Sequence, residues 1–198
     1  MKKLLATSAI LATALISTDA TAANTNFPYW YLGLSGGVAD QSDSDIHDSS
    51  AEIEWDTGYV VSASLGYQNP SLAGFRPEVE YSYRKQDFQG GDDSQVHVVA
   101  ANLYYDFRNA SPITPYVGGG LGLGNFKINS DGPGPDGSDT QAIYQGMVGI
   151  GYEPANLHNV GLSLQYRYMA PFSEPETDAG FEYEYDNHSI EAGLKFRF

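Results

Sequence analysis

The chain has 198 residues, with 25 acids against 10 bases and a formal charge of −15. That balance excludes a nucleic-acid partner, because phosphate backbones are held by basic patches. The absence of cysteine excludes a disulfide framework, thiolate metal sites and a lipidated N-terminal cysteine. What remains is room for one domain with its own core.

The first element is a targeting segment. Lys2 and Lys3 form a basic start, Leu4 to Ile16 an apolar stretch too short to span a bilayer, and Ala20-Thr21-Ala22 a small-residue cleavage site. Residues 1–22 read as a secretory signal peptide, and residues 23–198 as the mature domain. Beyond it no run approaches 18 consecutive apolar residues, so no transmembrane helix is expected.

Eight segments follow in which apolar and polar residues alternate, the period-two signature of strands with one apolar face. They fall at 29–38, 58–67, 75–84, 96–107, 116–126, 142–153, 160–169 and 187–198. "FRPEVEYSYR" is the clearest, with Phe75, Val79, Tyr81 and Tyr83 opposite Arg76, Glu78, Glu80 and Arg84. The last, "NHSIEAGLKFRF", alternates up to Phe198, with Ile190, Ala192, Leu194 and Phe196 on the same face. Each is the length that a tilted strand needs to cross the apolar layer of a bilayer. The connections alternate long and short, with long ones at about 39–57, 85–95, 127–140 and 170–186. This pattern predicts an all-β fold, an eight-stranded antiparallel up-and-down transmembrane β-barrel, with long extracellular loops and short periplasmic turns. The last strand closes onto the first, because a closed barrel leaves no unpaired edge in lipid.

The charges sort by position. Nineteen of the 25 acids, from Asp40 to Asp56, Asp87 to Asp93, Asp131 to Asp139 and Glu174 to Asp186, fall in the four long connections. The inward-facing set holds five acids, Glu78, Glu80, Asp106, Glu153 and Glu191, and five bases, Arg76, Arg84, Arg167, Lys195 and Arg197. Eight strands enclose a space just wide enough for side chains. Charges there must be paired or they cost several kcal/mol each. A balanced set therefore predicts a lumen plugged by a charge network, with a pore lining as the alternative.

Four motifs invite chemistry and lack its context. "GLSGG" (33–37) matches a nucleophile elbow, but Ser35 lies mid-strand with an acidic loop after it, where the elbow is a strand–turn–helix. "GGGLGLG" (118–124) has neither the dinucleotide spacing nor a following helix. Its glycines are expected to make room for bulky inward side chains or to let the wall bend. His188, Ser189 and Glu191 suggest a hydrolytic group, but adjacent strand residues point to opposite faces. "DQSDSDIHDSSAEIE" (40–54) has acids at calcium-loop density without the turn glycine. The histidines at 47, 97, 158 and 188 show no metal spacing. No enzyme, cofactor or metal site is expected.

"FRPEVEYSYR", "TPYVGGGLGLG", "YQGMVGIGYE", "LSLQYRY" and the terminal "GLKFRF", together with the signal peptide, resemble the small Gram-negative outer-membrane barrels of the opacity protein and surface-antigen (Msp4/P44-like) group. That group is related in architecture to the OmpA and OmpX barrels. The resemblance covers roughly 27–198 and implies a cell outer-membrane location. It also implies that Phe198 is read by the barrel-assembly machinery. The group includes adhesins, surface antigens and small pores, so fold leaves function open.

The expectation is a monomeric surface protein in outer-membrane lipid, whose acidic loops serve adhesion or other surface interaction. Host surface molecules and divalent cations are the candidate partners. Trp55, Phe88, Phe172, Phe181, Tyr183 and Tyr185 are the aromatic contact candidates in the loops. A small cation-preferring pore and a structural envelope protein without ligand are the alternatives.

Overall fold

The computed structural model describes residues 27–41, 58–87, 93–129, 137–154, 157, 159–173 and 186–198. Eight strands run in chain order: β1 Tyr29–Gln41, β2 Gly58–Gln68, β3 Phe75–Asp87, β4 Asp93–Asp106, β5 Ile113–Asn129, β6 Gly137–Tyr152, β7 Val160–Pro171 and β8 Asn187–Arg197. Each pairs antiparallel with the next, and β1 pairs with β8 to close the barrel. Trp30 and Phe198 exchange backbone hydrogen bonds of 3.3 and 3.0 Å at the seam.

The alternation places each face as expected. Along β3 the side chains run exposed and buried in turn from Phe75 to Tyr81 and Ser82. Outward lies a band that includes Leu34, Val61, Val79, Leu103, Leu121, Val148, Leu164 and Ile190, all exposed. Aromatic clusters border this band at both ends. Trp30 meets Tyr67 at 4.9 Å and Phe75 meets Tyr105 at 5.2 Å toward the short turns. Toward the other end Tyr83 meets His97 at 5.0 Å and Tyr168 meets His188 at 5.2 Å. An apolar band flanked by aromatic girdles is the surface that a bilayer solvates.

The strands run further than hydropathy predicts. β4, β5 and β6 have 14, 17 and 16 residues. Residues 88–92 and 130–136 are all that separates β3 from β4 and β5 from β6. The second and third connections are thus no longer than the turns at the opposite end, and Asp87, Asp93 and Asp139 belong to strands. Hydrophobic alternation stops where lipid stops, whereas the backbone ladder needs no apolar side chain. Past that level polar pairs continue it, as where the Asn125 amide donates to Thr140 Oγ1 at 3.0 Å and Ser138 Oγ at 3.3 Å.

The short turns are locally encoded. Asn69 accepts from the Ser71 amide at 2.9 Å and caps a single 3₁₀ turn, Pro70–Leu72, and the chain then reverses through Ala73 and Gly74 at φ 51° and 100°. Asn109 accepts from the Ser111 amide at 2.7 Å in the next turn. Such side-chain-to-backbone bonds two residues on are the usual work of Asn in turns.

Glycines set how closely walls and side chains approach. A Cβ on Gly118 would come within 2.4 Å of the Tyr104 ring, and one on Gly66 within 2.1 Å of the Tyr31 ring. The glycines make room for inward tyrosines, as the sequence suggested. At Gly37 the obstacle is backbone: a Cβ would lie 2.0 Å from the Ile190 carbonyl oxygen and 2.8 Å from Glu191 Cα across the β1–β8 seam. Gly37→Ala is therefore expected to cost about 1–3 kcal/mol in urea unfolding. Gly146→Ala, with nothing within 4 Å of its Cβ, serves as the control. Equal stability of the two variants would contradict the seam geometry.

Candidate functional site

All ten predicted lumen residues face inward, and they form three tiers. At the turn end Arg197 pairs with Glu153 at 2.6 Å and lies 5.3 Å from the Tyr29 ring centre. Above it β3 projects Arg76 into a cage. Its guanidinium reaches Asp106 at 3.1 Å and Glu78 at 3.3 Å, and donates to the Tyr31 hydroxyl at 2.5 Å. It stacks 4.2 Å over the Tyr104 ring. Lys195 lies 5.5 and 5.4 Å from the ring centres of Tyr31 and Tyr116. Among the described residues it has no carboxylate within ion-pair distance.

The waist is held from opposite walls. Arg167 on β7 pairs with Glu80 on β3, one contact being Nη2 to Oε2 at 2.8 Å, and with Glu191 on β8 at 3.0 Å. It also donates to Gln145 Oε1 at 3.0 Å, and Gln145 donates to Asn102 Oδ1 at 2.6 Å. Glu191 accepts from Ser189 at 2.8 Å, Gln165 at 3.0 Å and Ser35 at 3.2 Å. Arg84 stands 3.7 Å from Glu191 and donates to Asn187 Oδ1 at 2.5 Å. Strands β3 and β7 lie on opposite sides of the closed barrel. The Arg167–Glu80 pair therefore crosses the lumen. Multiply hydrogen-bonded ion pairs of this kind offset the desolvation that burial imposes.

Between these tiers lies a cavity of about 30 Å³, lined by Ser35, Ser62, Ser64, Ser163, Glu78 and Lys195 among others. It is polar and has room for roughly two waters.

The interior holds a second element that the sequence reading did not contain. Val96, Val98, Ala100, Phe126, Ile143 and Met169 form a buried apolar cluster inside the barrel, toward the long-loop end. Its signal was present in "VVAA" (98–101), where both parities are apolar. There lipid solvates one face and core the other, so alternation disappears.

The enzyme-like motifs separate in space. The Ser189 hydroxyl points inward to Glu191, while His188 Nδ1 lies 2.5 Å from the Tyr166 hydroxyl on the outer surface. Ser35 Oγ lies mid-strand, 2.5 Å from Ser62 Oγ. Gly118–Gly124 are part of β5. Among the described residues no three His, Asp or Glu side chains gather to hold a metal. Apart from Asp40, the acidic stretch 40–54 contributes no described side chain.

The loop aromatics fare differently. Trp55, Phe88, Phe181, Tyr183 and Tyr185 lie outside the described residues. Phe172 is the first residue after β7, in the connection to β8, and is 63% exposed. Its amide bonds the Ala142 carbonyl at 2.9 Å, and its ring meets Tyr144 at 5.1 Å. It continues the outer aromatic girdle.

Comparison with known proteins agrees with this architecture. The chain is 25% identical over 134 residues to the outer membrane protein PagN of Salmonella typhimurium, a match spanning 57% of this chain and 56% of that one. The chain thus spans little more than half the length of that relative. Neisserial surface protein A superposes with a TM-score of 0.65 at 23% identity, covering 85% of this chain and 97% of its own. OprG of Pseudomonas aeruginosa gives 0.52 at 15% identity, over 90% and 97%. The model of the outer membrane protein beta-barrel domain family matches residues 8–198, and the chain belongs to that family as an eight-stranded barrel of the outer membrane.

Proposed function

We propose that the protein is a non-enzymatic surface barrel that displays acidic extracellular connections for adhesion or other surface interaction, with its lumen closed. The observation that carries this is the Arg167–Glu80 pair across the lumen, backed by the apolar cluster between it and the long-loop end. A barrel whose interior is filled by paired side chains offers solutes no path. Its variable chemistry then resides in the connections 42–57 and 174–185, which carry acids at high density and Trp55, Phe181, Tyr183 and Tyr185. Binding loops on a rigid scaffold are a common division of labour. Host surface molecules and divalent cations are the partners such loops suit. Phe198, exposed at the seam, is the residue that barrel-assembly machinery would read.

Single-channel recording in a planar bilayer tests closure. The folded protein is expected to be silent. Discrete cation-selective steps that change in Glu80→Gln would replace this reading with the small pore. Chimeras carrying neutral, shortened connections at 42–57 and 174–185 test display: surface binding is expected to disappear while the barrel still folds. Binding that survives the exchange overturns it.

A further inference from the structure

The ten bases of the chain are sharply partitioned. Lys2 and Lys3 stand at the N-terminus, five line the lumen, and Arg108 lies in a turn at the periplasmic end. The two that remain, Lys85 and Lys127, share one rung of the sheet. Lys85 on β3 pairs in register with Gln95 on β4, and Gln95 with Lys127 on β5. All three positions have the outward parity of the lipid-facing band.

The rungs beneath grade from lipid to water. Tyr81, Val99 and Leu123 form one rung, and Tyr83, His97 and Asn125 the next. The Tyr81 hydroxyl lies 2.8 Å from His97 Nδ1. The lysine rung follows directly, at the level where girdle aromatics meet lipid headgroups. One rung further out stand Asp87, Asp93 and Asn129, on the water side of the lysines.

The opposite wall supplies an internal contrast. Tyr166, Tyr168 and His188 on β7 and β8 repeat the tyrosine–histidine cluster, with the Tyr166 hydroxyl 2.5 Å from His188 Nδ1. There the polar neighbours are acids: Asp40 pairs in register with His188, and Asp186 accepts from the Tyr168 hydroxyl at 3.1 Å. The same girdle motif is thus followed by a lysine rung on the β3–β5 wall, whereas on the other wall acids adjoin it directly.

We propose that the outward face of β3–β5 at this level binds the headgroup phosphate of an outer-leaflet lipid. Lys85 and Lys127, two strand spacings or about 10 Å apart, bracket the phosphate with their flexible stems. His97, whose Nδ1 faces the Tyr81 hydroxyl, has its Nε2 to offer the adjoining headgroup. The site would hold a ring of lipid against one side of the barrel and orient the protein in its membrane. The assignment rests on the reading that the long connections face outward. Binding in micelles does not depend on orientation, so its failure would leave the display reading intact.

The test uses the refolded protein in zwitterionic detergent micelles, with fluorescent bisphosphorylated lipid A as probe and its dephosphorylated form as comparison. The expected result is a preference for the phosphorylated probe. That preference falls about fivefold for Lys85→Gln or Lys127→Gln and about 30-fold for the double variant. Arg108→Gln, at the far end, retains it. Unaltered heat-modifiable gel mobility verifies that each variant is folded. Equal affinity for both lipids, or an equal loss in Arg108→Gln, overturns the site. Complete displacement by equimolar inorganic phosphate overturns its assignment to a lipid.

Discussion

Arg167→Met is expected to lower the unfolding free energy of the barrel by about 3–5 kcal/mol, the cost of removing one member of a buried ionic cluster. Arg167 is 0% exposed and holds Glu80 and Glu191 together. Without it Glu80 keeps a buried charge, and Glu191 keeps only Arg84 at 3.7 Å among its cationic partners. Methionine fills much of the space, so the loss reports charge rather than volume. Urea unfolding in micelles, followed by tryptophan fluorescence, gives the value. The double variant Arg167→Met/Glu80→Met should recover much of the loss, because an apolar pair of similar volume replaces the broken ion pair. A loss below about 1 kcal/mol would be that of a hydrated, surface-like pair. Closure of the lumen would then lose its main support.

Leu121→Arg is expected to cost about 2–4 kcal/mol, the penalty for a cation on the lipid face near the bilayer midplane. Leu121 is 62% exposed, so the substitution disturbs almost no protein packing. In water it would be nearly neutral. Asn125→Arg, four residues along β5 and within the upper girdle, should cost only about 0–1 kcal/mol. The measurement is the difference between the two variants in unfolding from lipid vesicles. A flat profile along β5 would mean that the exposed apolar band does not meet hydrocarbon.

Much of the molecule was legible because a barrel in lipid imposes one rule on each strand. Parity decides which solvent a side chain meets, so Arg76, Glu80, Arg167 and Glu191 could be assigned to the lumen from their positions alone. The glycines at 118 and 120 likewise announced bulky neighbours. Strand ends were less legible. β5 and β6 continue past the apolar band on polar pairs such as Asn125 and Thr140, which hydropathy does not distinguish from loop. Phe172, in the connection as the sequence indicated, packs its ring on Tyr144 in the girdle.

The sequence by itself determined the number of strands, their faces, the balance of charge inside and the excess of acid outside, because each follows from local alternation and composition. Only the tertiary structure decided who pairs with whom. Arg167 and Glu80 are 87 positions apart and meet because closure brings β3 and β7 face to face across a narrow lumen. The same closure gathers Val96, Phe126, Ile143 and Met169 into one core. It also sets Lys85 and Lys127 in one rung, since register across three strands is a property of the closed sheet and of no single segment.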